Sequence, residues 1–202
     1  MLKKLVFSAA AAALLALGAT GAQAAAHAKD CKAPGGPDEI SFEQANEVYE
    51  CLSKKMYDGY QPGDKRWVPS EYVANYKDWR LAVTAPANPG THSNRYLVTR
   101  VNNTGFRAYT RYAEDVTMPV GTVISKESFT ISKKGKGKAG PIFFMEKVAP
   151  GTSPKTGDWY YYMVSAKGVP QAVNVFQACA GCHNGFDFQD RLGYPVEEVR
   201  VK

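Results

Sequence analysis

The chain has 202 residues, with 25 Lys and Arg against 19 Asp and Glu and a formal charge of +6. That mild basic excess excludes a dedicated polyanion binder, so no nucleic-acid partner is expected. A hydrophobic content of 45% is enough for a packed core.

Lys3 and Lys4, an apolar run from Leu5 to Leu17 and the small-residue triplet Ala22-Gln23-Ala24 read as a signal peptide over residues 1–24, cleaved after Ala24. The run is too short to span a bilayer, and no later segment offers about twenty uninterrupted apolar residues, so the mature protein is expected to be soluble and periplasmic, without a membrane span. Residues 25–202 suit one domain. Their balance is 23 basic against 19 acidic residues, a net +4.

Ser41 and Gln44 form a capping-box signature, after which Phe42, Ala45, Val48, Leu52 and Met56 recur at helical spacing until Gly59. Ser70 is placed to cap a short second helix ending around Lys77. From Trp79 to Ser165 the chain turns to short runs rich in Val, Ile, Thr, Tyr and Phe, which predict strands near 79–84, 94–102, 122–129, 142–148 and 159–165. Short connections favour antiparallel neighbours. The basic stretch Lys133-Lys134-Gly135-Lys136-Gly137-Lys138 reads as a hairpin tip, either a solvated loop or a docking patch for an acidic redox partner. Val169 to His183 reads as a helix with Pro170 in its first turn. The fold class is α+β, a mostly antiparallel β-sheet with an N-terminal helix and a C-terminal helix.

The four cysteines form two pairs of different character. Cys31 and Cys51, in an oxidising compartment, are expected to form a disulfide tying the N-terminal segment to the first helix, with a stabilisation of roughly 3 kcal/mol. Cys179-Ala180-Gly181-Cys182-His183 has the spacing of c-type heme attachment. Two thiols three positions apart share one side of a helical turn and reach two vinyl groups, while the adjacent histidine ligates iron. The expectation is one covalent heme c, held by Cys179 and Cys182, with His183 as the axial ligand. A dithiol redox pair lacks its usual strand-then-helix context here. A zinc site needs further ligands, and only His27 and His92 remain as histidines.

Small electron-transfer cytochromes carry the attachment motif near the mature N-terminus and follow it with a methionine ligand, whereas no methionine follows His183. Four-helix cytochromes carry it near the C-terminus, but this body is mostly strand. The candidates for a sixth iron ligand are Met118, Met145, Met163 and His92, each more often structural in such settings. Among the aromatics, Phe129, Phe143, Phe144 and Trp159 to Tyr162 are available to wall the heme. Glu127 and Glu146 are the carboxylates nearest in sequence to serve as proton acceptors, with surface positions as the plainer reading.

Asn75-Tyr76-Lys77-Asp78-Trp79, Gly121-Thr122-Val123-Ile124-Ser125-Lys126-Glu127, the glycine-rich turn leading to Phe144-Met145, Trp159-Tyr160, the heme motif and Tyr194-Pro195-Val196 occur in an order that resembles the cytochrome P-460 family, including the cytochrome c'-beta proteins. The resemblance implies a mostly antiparallel sheet, often in a homodimer, and a heme with no protein ligand on its far side. It also implies one of two activities. Cytochrome P-460 proteins carry a lysine joined to the porphyrin edge and oxidise hydroxylamine, whereas cytochrome c'-beta proteins lack that bond and bind small gases such as nitric oxide. Lys126 matches the position of that lysine. Strand alternation sets it with Ile124 and Ser128, opposite Val123, Glu127 and Phe129, and leaves open which face is buried. A solvated strand lysine is the competing reading, and a plain electron carrier served by a soluble redox partner is the third functional alternative. Lys77 stands where the family often has arginine. Cys31, Cys51 and the segment before Tyr76 have no family counterpart.

Overall fold

The computed structural model describes residues 30–172 and 175–202. The expected signal peptide, its expected cleavage after Ala24 and His27 lie outside the described residues. The chain is α+β, with five antiparallel strands in the order β1-β2-β3-β4-β5.

Helix α1, Phe42–Tyr60, starts as its capping box requires: Ser41 Oγ accepts from the Gln44 amide while Gln44 Oε1 accepts from the Ser41 amide. Its buried stripe is Ala45, Val48, Tyr49, Leu52, Met56 and Tyr60, and Phe42 instead faces solvent. Gly59 does not stop the helix. It allows close packing, because a Cβ there would sit 2.5 Å from the Ala166 carbonyl oxygen. Helix α2, Ser70–Asn75, continues through a tighter turn, Tyr76–Asp78, and its cap residue is Pro69 rather than Ser70.

The strands are β1 (Arg80–Leu81), β2 (Tyr96–Val101), β3 (Val123–Ile131), β4 (Gly137–Lys147) and β5 (Trp159–Val164). β1 is shorter than expected because the chain leaves it to meet the C-terminal segment. The Thr84 amide donates to Val199 O at 2.8 Å, and Val83 bridges to Arg200. The β3–β4 hairpin turns at residues 132–136 with Gly135 at φ +79°, and Lys133, Lys134, Lys136 and Lys138 are exposed around it. Helix α3, Asn103–Tyr109, was not expected. Asn102 Oδ1 accepts from the Gly105 amide as an N-cap, a role that the string Asn102-Asn103-Thr104-Gly105 shares with turn formation.

The segment expected as one helix from Val169 is different in kind. Pro170 bridges to Val164, the Gln171 amide donates to Met163 O and the Ser165 amide to Val169 O, so residues 169–171 spend their backbone groups on the edge of β5. The heme motif lies on a wide five-residue turn, Phe176–Ala180, a single α-helical turn α4, Gly181–His183, and a tight turn, Asn184–Gln189.

Two apolar cores flank the sheet. One packs α1 and α2 against Val98, Val123, Phe129, Ile142 and Phe144. The other joins α3 and the C-terminal turns to Val101, Ile124, Met145, Trp159 and Tyr161. Cys31 and Cys51 are disulfide-bonded, with Cα atoms 5.3 Å apart and a sequence separation of 20. The Cys31→Ser, Cys51→Ser double variant is expected to lose roughly 3 kcal/mol in urea denaturation, from the restored freedom of the unfolded loop. The optical spectrum of the heme should not change, since the bond lies in the first core.

Candidate functional site

The site follows from the register of the sheet. Lys126 pairs with Thr99 on β2 and Phe143 on β4, and Phe143 pairs with Met163 on β5. One row along, Ile124 pairs with Val101 and Met145, and Met145 with Tyr161. Residues two apart share a face, so both rows look toward the second core. The C-terminal turns and residues 193–196 cover that face and leave two adjoining cavities of about 160 and 150 Å³. Ala87, Leu97, Thr99, Phe186, Tyr194 and Val196 line the first. Ile124, Phe143, Met145, Tyr161, Met163 and Cys179 line the second. His92, Lys126, Cys182 and His183 line both.

Cys179 is half-buried and Cys182 exposed, both as free thiols. His183 is buried, and its Nδ1 donates to Arg191 O at 2.6 Å. A carbonyl oxygen only accepts, so the proton sits on Nδ1 and Nε2 keeps its lone pair. Burial, and then the Lys126 charge, bring the imidazole pKa down to about 4, which leaves it neutral at physiological pH.

Asp190 sets the position of that carbonyl. Its Oδ1 accepts from Lys147 Nζ at 2.6 Å and from Trp159 Nε1 at 3.2 Å, its Oδ2 accepts from the Met118 amide at 2.8 Å, and its carbonyl accepts from Trp159 Nε1 at 2.8 Å. Asp190 and Arg191 both take positive φ, 50° and 63°, to make the turn. Asp190→Ala leaves a buried ammonium without its counter-charge and is expected to cost about 3–5 kcal/mol by urea denaturation. Combining it with Lys147→Met should recover part of that loss.

Lys126 is 6% exposed, and its Nζ donates to Gly193 O at 3.1 Å. Burial lowers its pKa to about 8, so about a tenth of the amine is neutral at pH 7, far more than for a lysine in solvent. His92 packs its ring against Phe143, centroid to centroid 5.0 Å, and its Nδ1 lies 3.1 Å from Thr91 Oγ1. Burial and the Lys126 charge bring its pKa down to about 3.

Other expected residues are elsewhere. Glu127 points into the first core, where Tyr49, Tyr76 and Lys77 donate to it, and Glu146 accepts from Tyr162 at 2.7 Å. Neither lines a cavity, so neither is a proton acceptor there, and Glu127 is fully buried rather than a surface carboxylate. Met118 lies in the second core outside both cavities. Phe143, Phe144, Tyr161 and Tyr162 reach the second cavity, whereas Phe129, Trp159 and Tyr160 reach neither. The Gly193 carbonyl and the hydrogen bond from His183 to Arg191 were missed, since backbone acceptors leave no sequence signature.

The residues suit a porphyrin. Apolar side chains wall both cavities, the Cys182 thiol and the His183 imidazole stand at their junction with the Cys179 thiol in the second, and Tyr161 Oη is buried with no hydrogen-bond partner among the described residues. No group of three or more His, Cys, Asp and Glu is arranged for a metal ion among the described residues, so the zinc reading gains no further ligands. A family model for cytochrome P460 matches residues 73–192, more than half of the chain. The chain belongs to the cytochrome P460 family. It is therefore a heme cytochrome of that family, and the matched span includes Lys126, both motif cysteines and His183. No curated protein matches the chain. No helix among the described residues is long and apolar enough to cross a membrane.

Proposed function

We propose that this cytochrome P460 family member is a periplasmic mono-heme enzyme that oxidises hydroxylamine, or turns over nitric oxide, and passes the electrons to a soluble redox partner. Cys179 and Cys182 hold one heme c through thioethers, His183 ligates the iron through Nε2, and Lys126 is joined to the porphyrin edge. The observation that carries this reading is a buried, partly neutral amine on the same cavity walls as Cys182 and His183. A lysine is seldom buried without a specific role, and a neutral amine is nucleophilic. The linkage replaces one N–H and one C–H by a C–N bond and releases two protons and two electrons, so its formation needs an oxidant such as a peroxide.

Mass spectrometry of the proteolysed holoprotein tests the linkage. A single heme-bearing species containing both the Cys179–Cys182 peptide and the Lys126 peptide is expected. A heme peptide of Cys179 and Cys182 alone sinks the hydroxylamine oxidase reading. The apolar lining by Leu97, Ile124, Phe143 and Met145 favours, as a second reading, a nitric oxide binding protein of the cytochrome c'-beta kind. That reading requires ferrous protein to bind nitric oxide.

A further inference from the structure

The sheet face that carries Lys126 runs on past the cavities toward the β3–β4 hairpin. Lys126, Ser128 and Thr130 alternate onto it, while Phe129 and Ile131 pack in the first core. Thr130 pairs with Lys138, and Lys136, two positions before Lys138, shares its side. Thr130, Lys138, Gly140, Pro141 and Met163 line an open groove of about 470 Å³ together with Arg95. Gly140 makes room for the guanidinium, because a Cβ there would sit 2.7 Å from Arg95 Nη1. Met163 also lines the second cavity, so groove and cavity share a wall.

The charge around the groove is positive and unpaired. Lys136 and Lys138 are exposed, as are Lys133 and Lys134 at the turn of the hairpin. The ion pairs among the described residues belong to Lys54, Lys77 and Lys147, so neither Arg95 nor these four lysines has a carboxylate partner there. Between Glu127 and Glu146 the chain carries no acidic residue. Asp30, Asp38 and Glu39 belong to a segment that packs on the first core through Cys31, Ala33 and Ile40, across the sheet. Crowded like charges repel one another and contribute nothing to the fold, whereas they steer the encounter with a surface of opposite sign. Five cations spread over a hairpin and a groove make a footprint for a protein surface rather than for one small anion.

We propose that this groove and the lysines beside it are the docking surface for an acidic, soluble electron-transfer protein, which takes electrons from the heme across the wall formed by Met163. Each encounter moves one electron: ferrous heme iron becomes ferric and the partner's redox center is reduced by one, with no bond or proton exchanged. The inference deepens the proposed function and rests on its heme and its redox partner. It does not depend on hydroxylamine as the donor or on the Lys126 linkage, which mass spectrometry reads separately.

The test is stopped-flow oxidation of the ferrous holoprotein, reduced with dithionite, by an acidic plastocyanin, with a basic mitochondrial cytochrome c as the comparison. At low ionic strength, Lys136→Glu combined with Lys138→Glu is expected to slow oxidation by plastocyanin about tenfold and to quicken oxidation by the basic cytochrome. Lys54→Glu combined with Lys55→Glu makes an equal charge change on α1, across the sheet, and is expected to alter either rate less than about threefold. The difference between the two variants should vanish at about 0.3 M salt, where screening confines surface charge to roughly 6 Å. All four lysines are exposed, so neither double variant disturbs the core, and the heme absorption of each confirms the holoprotein. Equal slowing by both variants, or plastocyanin oxidation unchanged by the hairpin variant, overturns the proposal.

Discussion

Lys126→Met is expected to leave heme attached through Cys179 and Cys182 while abolishing hydroxylamine oxidation and moving the reduced absorption bands from the far-red position of a cross-linked heme to that of an ordinary c-type heme. The change removes one amine and keeps an unbranched apolar stem, so the walls formed by Thr99 and Phe143 beside it are little disturbed. The pH dependence of linkage formation supplies a second readout. The neutral amine is the reactive form, and its pKa is lowered to about 8 by burial. During maturation in vitro, the rate should rise roughly tenfold per pH unit below that value and level off above it, because protonation halts attack on the acid side. A rate still climbing steeply beyond pH 9 would place the amine in solvent and remove the basis of the linkage. Arginine at the same position stays charged at all accessible pH and should form no bond.

The second large effect is structural. Glu127 is fully buried, and its carboxylate accepts from Tyr49 Oη at 2.6 Å, Tyr76 Oη at 2.9 Å and Lys77 Nζ at 2.8 Å. Lys77 also donates to Ser53 Oγ and so ties α1 and the turn after α2 to the middle of β3. Burial and the Glu127 charge hold both tyrosine hydroxyls above their ordinary pKa, so they remain donors throughout the physiological range. Glu127→Ala strips the counter-charge from Lys77 and the acceptor from two buried hydroxyls at once. The expected loss is about 3–5 kcal/mol, measured from urea denaturation of the holoprotein. Lys77→Met combined with Glu127→Ala should cost less than the two single changes added together, because the partners share one interaction. Lys77→Arg preserves the charge and is expected to cost far less than Glu127→Ala. Since Glu127 and Lys126 are consecutive on β3, the pair also steadies the strand that presents the amine to the cavity.

Much of the architecture was legible because it rests on local rules. The capping box at Ser41 and Gln44 places the start of α1, and runs of β-branched and aromatic residues place β2, β3 and β5 within about two residues of their observed ends, whereas β4 starts at Gly137, ahead of the expected 142, because the glycine-rich stretch before Ile142 also pairs with β3. Local signals failed where two structures use the same residues. Asn102-Asn103-Thr104-Gly105 caps a helix as readily as it makes a turn, and Pro170 suits a strand edge as well as a helix start. Gly59 resembled a terminator, and only the approach of the Ala166 carbonyl explains it.

The heme motif itself is a property of the sequence, because Cys179, Cys182 and His183 owe their relation to covalent spacing within five consecutive residues. The same holds for the split between Lys126 and Glu127, which strand alternation puts on opposite faces. What each face meets was decided by tertiary packing alone. Both sides of β3 are buried, so polarity could not rank them: α1 brings Tyr49 and the turn after α2 brings Tyr76 and Lys77 to Glu127, while the C-terminal turns bring Cys182, His183 and Gly193 to Lys126. His92 shows the same limit most plainly. It is 91 residues from His183 in the chain, in a loop of exposed polar residues, and only the folding of that loop against Phe143 sets the two imidazoles 6.3 Å apart.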